Sequence, residues 1–492
     1  MKRLGSPKFL LLVILLLGLF FRIYKLEIFF PWGHDQDLFA WIAKDMIIDH
    51  HFRLIGQETS ITGVFIGPVF YYLMAISMAL FKMNPLGVYI PITIISLLTI
   101  FSIYWVFNKF FGKNIGLIGS FLYAISPGII LLDRWVVPTQ PTNLWVIWYL
   151  YVLLEILSGK LPLILIGILV GLIWHVHVAF VPLLILVPVA LWLSKKRGNK
   201  IRINTKSIVI SFLMFFSLLL PFFTFEIRHG FQQIKGLTRA TYEEKGDVKG
   251  LKRFAKVLNI SGRSLGGIFL LDKNPSIAAE FFMLLPVLFL FSVIYLYKIK
   301  KLTRNQTIIF GLWIGIDLLT QFISKRSIPE YYFANLFIVF FLMSAILVST
   351  ISIKRPFLIS LLIVTSLLIT ISWLITQPDE LGGFLQKRKT IEYIKGNALA
   401  NNYSCIAINY VEGQPGLPNG FRYLFWLNNL KVITAANDVP VYSIVTPWTI
   451  SGDEINAKFG MFGVILPHQK NLDFKVCSDP KRQLLPLWGF TK

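Results

Sequence analysis

The sequence predicts an all-α polytopic membrane bundle of about 11–13 transmembrane helices, joined to a small C-terminal extracytoplasmic α/β domain. Three observations predict it. Hydrophobic residues make up 55% of the 492-residue chain and charged residues only 15%, where a soluble domain carries about 25% charged residues. The apolar residues come in long blocks of roughly spanning length. Basic residues gather in short runs between blocks, so the net charge of +23 is not a nucleic-acid footprint.

The first block, Phe9 to Phe21, is flanked by Lys2, Arg3 and Lys8 and then by Arg22 and Lys25. No small-residue cleavage site follows it, so it reads as a span rather than a signal peptide. Further blocks run over Val64–Phe81, Val88–Phe107, Ile115–Leu132 and Leu144–Leu157. Leu161–Leu193 is too long for one crossing and is broken by polar residues near His175. The remaining blocks are Ile208–Phe225, Ile277–Tyr297, Ile308–Ile323, Tyr331–Val348 and Phe357–Ile375. Each helix pairs its own backbone, so the bundle needs no soluble-type core.

Lys195, Lys196, Arg197, Lys200, Arg202 and Lys206 form a run without acidic residues; Lys298, Lys300, Lys301 and Arg304 form a second, Lys354 and Arg355 a third. The positive-inside rule makes these loops and the N-terminus cytoplasmic. The first loop (27–62), the long loop (226–275), Ser324–Glu330 and the tail after Thr376 then lie outside. An odd number of crossings must separate the first loop from Lys195, yet six apolar pieces lie between. One piece is therefore not a simple crossing, and the short break at Asn108–Asn114 points to the two pieces around it. The expected division is a membrane domain, 1–376, and an outer domain, 377–492.

In that outer domain, Arg388–Lys395 and Phe421–Leu430 read as helices, and Cys405–Tyr410, Val441–Val445 and Met461–Leu466 as strands. No nucleotide loop, metal cluster or nucleophile elbow occurs in it, which leaves a lid or acceptor-docking role. The two cysteines, Cys405 and Cys477, both lie there. An oxidising compartment permits a disulfide between them; two unrelated thiols is the alternative.

Five polar clusters fall on the outer face. In Trp32-Gly33-His34-Asp35-Gln36-Asp37, the spacing of Leu38, Ile42 and Met46 predicts a helix lying on the membrane surface. Asp35 or Asp37 would open that helix as an N-cap, or act as a general base or cation ligand. The second cluster holds Asp133 and Arg134, which either serve the substrate or close a helix end as an ion pair. The third holds His175 and His177, whose spacing turns them to opposite sides of a helix, so one faces a cavity and the other is structural. The fourth, Glu226 to Gly230, contains Arg228, and the fifth contains Lys325, Arg326, Glu330, Tyr331 and Tyr332. Arginines there suit a phosphate, which they bind through two parallel hydrogen bonds.

This arrangement resembles the GT-C glycosyltransferases, and most nearly glycosyltransferase family 39, which includes protein O-mannosyltransferases and a lipid A aminoarabinose transferase. The likeness runs over residues 8 to 376. Asp35 matches the catalytic aspartate of the family's first-loop motif, although Gln36 replaces its usual acidic neighbour and the next carboxylate is Asp37. Arg134 with Pro138 and Asn143 is similar to the second motif, and Gly171 to His177 to a prokaryotic Gly-Leu…His segment. Glu226–Phe231 and Glu330–Phe333 also have counterparts.

The resemblance implies an inverting transferase that moves a hexosyl or pentosyl unit from a polyprenyl-phosphate donor to a protein, lipid or glycan acceptor at the outer face of the cell membrane. Asp35 would take the acceptor proton, and Arg134, Arg228, Lys325 or Arg326 would hold the departing phosphate. No cofactor is implied as required, though the Asp-Gln-Asp spacing is compatible with a divalent cation. The implied partners are the polyprenyl-phosphate donor, an acceptor of open identity and the lipid bilayer. The alternatives are a flippase or transporter of lipid-linked sugars, or a polymerase or ligase. A transporter predicts repeated halves and charges within spans; intramembrane charge is sparse, with Glu155 and Asp317 the main cases, and no duplicated pattern stands out.

Overall fold

The computed structural model describes residues 6–242, 248–270, 277–324, 326–354, 356–376, 383–412, 420–451 and 454–482. It is a helical membrane bundle carrying a small sheet at one end.

Helix α1 (Pro7–Ile23) starts on Ser6, whose side chain accepts the Phe9 N–H at 3.2 Å, with Pro7 in the first turn. After a single turn, α2 (Leu26–Phe29), the chain forms α3 (His34–Ile47) and α4 (Val69–Leu80). Then come α5 (Tyr89–Phe111), α6 (Lys113–Ile125), α7 (Pro127–Arg134), α8 (Thr142–Leu157) and α9 (Leu163–Val176). Gly112 joins α5 to α6 with a φ of 100°, which a residue bearing a Cβ rarely adopts. Helices α6 and α7 form an apolar pair bent by 63° at Ser126. There the Ser126 hydroxyl bonds the Ile268 carbonyl at 2.7 Å, and Pro127 restarts the helix.

A second break falls at His177, in extended conformation, before a 3-10 segment, Val178–Ile185, that runs on as α10 (Leu186–Lys196). The bundle continues with α11 (Thr205–Arg228), the helices α12 (Gln232–Tyr242) and α13 (Gly250–Gly267) of the long loop, then α14 (Ala279–Lys298), α15 (Arg304–Ile323), α16 (Leu336–Lys354) and α17 (Pro356–Thr376). Among the described residues, five helices are long and apolar enough to cross a membrane. Counted as one unit, the bent α6–α7 pair is long and apolar enough to be a sixth, and shorter apolar helices fill in between.

The pieces around Asn108–Asn114 are α5, of 23 residues, and the pair α6–α7, bent by 63°, which is the geometry of a broken span or a re-entrant loop. Helix α4, from the block expected over Val64–Phe81, is short as well. Its 12 residues reach about 18 Å, against roughly 30 Å of hydrocarbon. Other short helices, α8 and α9, belong to the core of the bundle, but α4 does not. It packs Phe70, Tyr71, Met74 and Met78 against Phe39, Ala43 and Met46 of α3 and shares their cluster with the C-terminal domain.

The intramembrane acids have partners. Glu155 pairs with Lys109, and Asp317 accepts the Asn335 amide at 2.9 Å.

The C-terminal unit begins with α18 (Phe384–Ala400) and holds α19 (Arg422–Leu427). Its strands are β1 (Ile406–Glu412), β2 (Val432–Ile433), β3 (Val441–Thr446), β4 (Ala457–Phe459) and β5 (Phe462–Ile465), in the order β2-β1-β3-β5-β4. Strand β1 is parallel to β2 and β3, whereas β5 is antiparallel to β3 and β4. Strands β2 and β4 are too short to show a periodicity in sequence. Cys405 and Cys477 form a disulfide, joining the start of β1 to the turn Phe474–Ser478. The sheet's core is continuous with the first loop: Phe30, Trp32 and Phe384 pack together, and the Phe384 N–H bonds the Phe30 carbonyl at 3.1 Å.

Candidate active site

Neither aspartate of the first loop is the N-cap of α3; Gly33 is. Gln36 reaches back, its side-chain oxygen accepting the Gly33 N–H at 2.8 Å while its amide donates to the Val136 carbonyl at 2.9 Å. The residue standing in place of the family's acidic neighbour thus ties the loop to the Asp133 segment. Asp35 and Asp37 both occupy the first turn, where the helix dipole favours a carboxylate.

Their surroundings then separate them. Asp35 is half-buried on the wall of a cleft of about 540 Å³ between the first loop and the sheet, beside Trp32, His34, Trp135, Lys387 and Phe462. Burial raises its pKa, and the neighbouring His34 partly offsets that. Asp37 is buried against the C-terminal domain, one oxygen accepting the Tyr423 N–H at 2.9 Å. Burial pushes it up to about 7, against the Tyr423 N–H, Lys387 and Arg422, which pull it down. Around it Trp32 donates to the Gly420 carbonyl at 2.8 Å, and the Lys387 ammonium donates to the Trp32 carbonyl. Asp35 faces open space, and Asp37 fastens the domain that roofs it.

Asp133 and Arg134 of the second cluster are buried and line neither the Asp35 cleft nor the cavities beside His177 and Glu330. Asp133 is ion-paired at 2.6 Å with Arg22, not with its neighbour Arg134, and accepts the Ser96 hydroxyl at 2.5 Å. Arg22 also bonds the Gly18 and Ala124 carbonyls, so this buried pair locks α1 against α5, α6 and α7. Arg134, expected to hold phosphate, is buried and donates to the Phe21 and Tyr24 carbonyls, with its guanidinium 5.3 Å from the Phe29 ring. The solvent-facing residue of that segment is Trp135, which is 48% exposed.

His175 bonds the Leu218 carbonyl at 2.8 Å and packs on Phe222, joining α9 to α11. Gly67 lies against its ring; a Cβ there would fall 1.9 Å from Nδ1. His177 instead lines a cavity of about 460 Å³ with Glu58, Arg326, Tyr331 and Tyr332. Arg326 donates to the Ser60 carbonyl at 3.0 Å, and the Tyr332 and Ser60 hydroxyls lie 3.3 Å apart. Arg228 is exposed at the end of α11 and lines neither cavity, and Glu226 caps α12 through the Gln233 N–H at 3.0 Å. Lys325 lies outside the described residues.

Glu330 and Tyr331 line a third space, an apolar groove of about 620 Å³ whose other walls are α7 and α13. Its cation is Arg263, which sequence reasoning missed. The side chain of Arg263 is held by Asn259 at 3.0 Å and by the Phe282 ring at 5.3 Å. Pro31 and Trp135 are shared by this groove and the Asp35 cleft, and Tyr331 by the groove and the His177 cavity. The Tyr331 hydroxyl is pushed up to about 12 by burial, by Tyr332 and by Asp35. The spacing of Asn259, Arg263 and Gly267 along one helix face was the available signal for this wall.

Among the described residues, no group of three His, Cys, Asp or Glu side chains lies close enough to hold a metal ion. Asp35 and Asp37 address different neighbours.

The described geometry has a counterpart among solved structures. ArnT from Cupriavidus metallidurans in the apo state superimposes with a TM-score of 0.56 at 10% identity, over 92% of this chain and 95% of that one. The fold is the GT-C glycosyltransferase fold. ArnT bound to undecaprenyl phosphate matches with a TM-score of 0.47 at 12% identity, over 92% of this chain and 96% of that one. The Archaeoglobus fulgidus oligosaccharyltransferase matches with a TM-score of 0.45 at 14% identity, over 89% of this chain and 68% of that one. The sequence family described as dolichyl-phosphate-mannose-protein mannosyltransferase matches residues 66–224. No curated protein matches this sequence. Within the GT-C fold, the matched stretch runs from before α4 into α11, so it includes His175 and His177 but not Asp35.

Proposed function

We propose that the chain is an inverting glycosyltransferase that moves a sugar from a polyprenyl-phosphate donor to an acceptor hydroxyl or amine on the extracytoplasmic face, with Asp35 as general base. The observation that carries this reading is the shared wall of two spaces, one bearing the Asp35 carboxylate and the other the Arg263 guanidinium. A carboxylate cleft under the sheet and an apolar groove with one arginine meet at Pro31 and Trp135.

The groove suits a prenyl chain with its phosphate at Arg263. The sugar then lies near Tyr331, within reach of the polar side chains of His177 and Arg326 in the neighbouring cavity. The acceptor enters beneath the sheet, between Lys387, Phe462 and Asp35. Its heteroatom attacks the anomeric carbon from the Asp35 side as Asp35 takes its proton, and the carbon–oxygen bond to phosphate breaks on the opposite side. The leaving electron pair stays on the phosphate, where a fixed guanidinium stabilises it. A carboxylate whose pKa is raised toward the working pH is a better base than one at its ordinary value. In this reading the leaving charge is met by arginine, without a divalent cation.

The test is transfer from labelled polyprenyl-phosphate sugars by the purified chain in detergent, comparing Asp35→Asn with the unaltered protein. Equal release of lipid phosphate by both would sink the base assignment. Movement of the donor across vesicles without transfer would favour a transporter instead.

A further inference from the structure

The geometry points to a second ligand site, at the membrane face opposite the sheet, that takes the phosphate of an anionic membrane lipid. A cleft of about 350 Å³ lies there between the last turn of α10 and the first turn of α15. Lys196 and Arg197 come from one wall and Arg304 from the other. Among the described residues none of the three has an ion-pair partner, although burial is not what keeps acids away: the three side chains are exposed.

The cleft is built rather than incidental. Asn305 reaches from α15 to the Leu193 carbonyl at 3.5 Å, and Asn199 holds the turn after α10 through the Ser194 hydroxyl at 3.1 Å. Thr303 and Gln306 form a reciprocal cap, which satisfies the Gln306 and Thr303 N–H groups and leaves those of Arg304 and Asn305 directed past the helix end. An anion there meets side-chain cations, the positive helix end and two backbone donors together.

The rest of the lining specifies an amphiphile. Trp192 is 59% exposed beside Lys196, whose ammonium lies 5.2 Å from the indole ring, and Ile308 completes the apolar side. A tryptophan at this depth occupies the headgroup level. A basic pocket between transmembrane helices with an aromatic on its lipid side recognises a headgroup phosphate and lets the acyl chains lie outside. Basic loops on this face have a topological role as well, but Lys298, Lys300 and Lys301 meet that role without lining the cleft.

The test separates the cleft from bulk charge. The full-length protein is purified in detergent and titrated with phosphatidylglycerol or phosphatidylcholine, and bound lipid is counted by native mass spectrometry. Two variants are compared: K196Q/R197Q/R304Q, in the cleft, and K298Q/K300Q/K301Q, which removes the same charge beside it. The unaltered protein and the second variant are expected to prefer phosphatidylglycerol by tenfold or more, and the first to lose that preference. Equal loss in both variants, or no preference in the unaltered chain, would overturn the proposal. So would displacement of the lipid by millimolar inorganic phosphate, which would assign the cleft to the free ion. Should the first variant fail to fold, a photoreactive phosphatidylglycerol on the unaltered chain decides. Labelled peptides covering residues 192–197 or 303–308 support the site, and labelling confined elsewhere overturns it.

Discussion

The Asp37 carboxylate accepts the backbone N–H of Tyr423 at 2.9 Å, across 386 residues of sequence. This bond fixes the C-terminal domain onto the helix that carries Asp35, so the roof of the cleft and its carboxylate are positioned together. The two aspartates, two residues apart, therefore respond differently to substitution.

Asp35→Asn is expected to lower transfer by a factor of about 10²–10⁴, the usual contribution of a positioned base, with little change in melting temperature. In the unaltered chain, kcat/KM should fall as pH drops through the Asp35 pKa, which burial holds above 3.8. A pH–rate profile of both proteins checks this; an acidic limb that survives in Asp35→Asn would assign it to another group.

Asp37→Asn keeps an acceptor for the Tyr423 N–H but removes a titration. The Asp37 pKa is near 7 in the folded chain against 3.8 ordinarily, so the folded state favours its neutral form. The stability this group contributes is fully present below about pH 4, is lost as pH rises through about 7, and is flat above that. The difference corresponds to up to about 4 kcal/mol. The melting temperature of the unaltered protein, relative to Asp37→Asn, should therefore fall between pH 4 and 8. A constant difference across that window would remove Asp37 from the account.

Asp133→Ala is expected to destabilise the protein by about 3–5 kcal/mol, because it leaves the Arg22 charge buried without its partner. Arg263→Gln, on the groove wall, should leave the melting temperature within a degree or two and lower kcat/KM for the donor by about 10²–10³. Thermal melts and transfer assays on both variants distinguish the two roles. A donor defect in folded Asp133→Ala, with none in Arg263→Gln, would reverse the assignment.

Replacing Cys405 and Cys477 by alanine opens a closure of 72 residues and should cost about 2–5 kcal/mol. The loss should concentrate in the sheet domain and read out as faster limited proteolysis after Phe384. Unchanged cleavage would show that the domain is held by its packing on Phe30 and Trp32 alone.

Chelation should leave transfer unchanged, because in the proposed mechanism arginine meets the leaving charge. Loss of activity in EDTA, restored by added divalent cation, would overturn that part of the mechanism.

The sequence by itself determined the membrane bundle, the face on which its basic loops gather, the GT-C likeness and the three main strands of the C-terminal unit. These are legible because burial of apolar blocks, charge bias at their ends and alternation along a strand are properties of neighbouring residues. Only the tertiary structure decided that α4 packs on α3 and shares its cluster with the C-terminal domain, because its length and composition alone do not distinguish it from α9. It likewise decided that Asp133 pairs with Arg22, 111 residues away, rather than with adjacent Arg134. Arg263 and Trp135 acquire meaning only where α7 and α13 meet to form a groove. Such pairings depend on which helix faces come together, and the energy of an ion pair or a cleft wall resides in that contact and not in either segment alone. The local pattern placed Asp35 and Asp37 on one helix turn; the fold gave one to the cleft and the other to Tyr423.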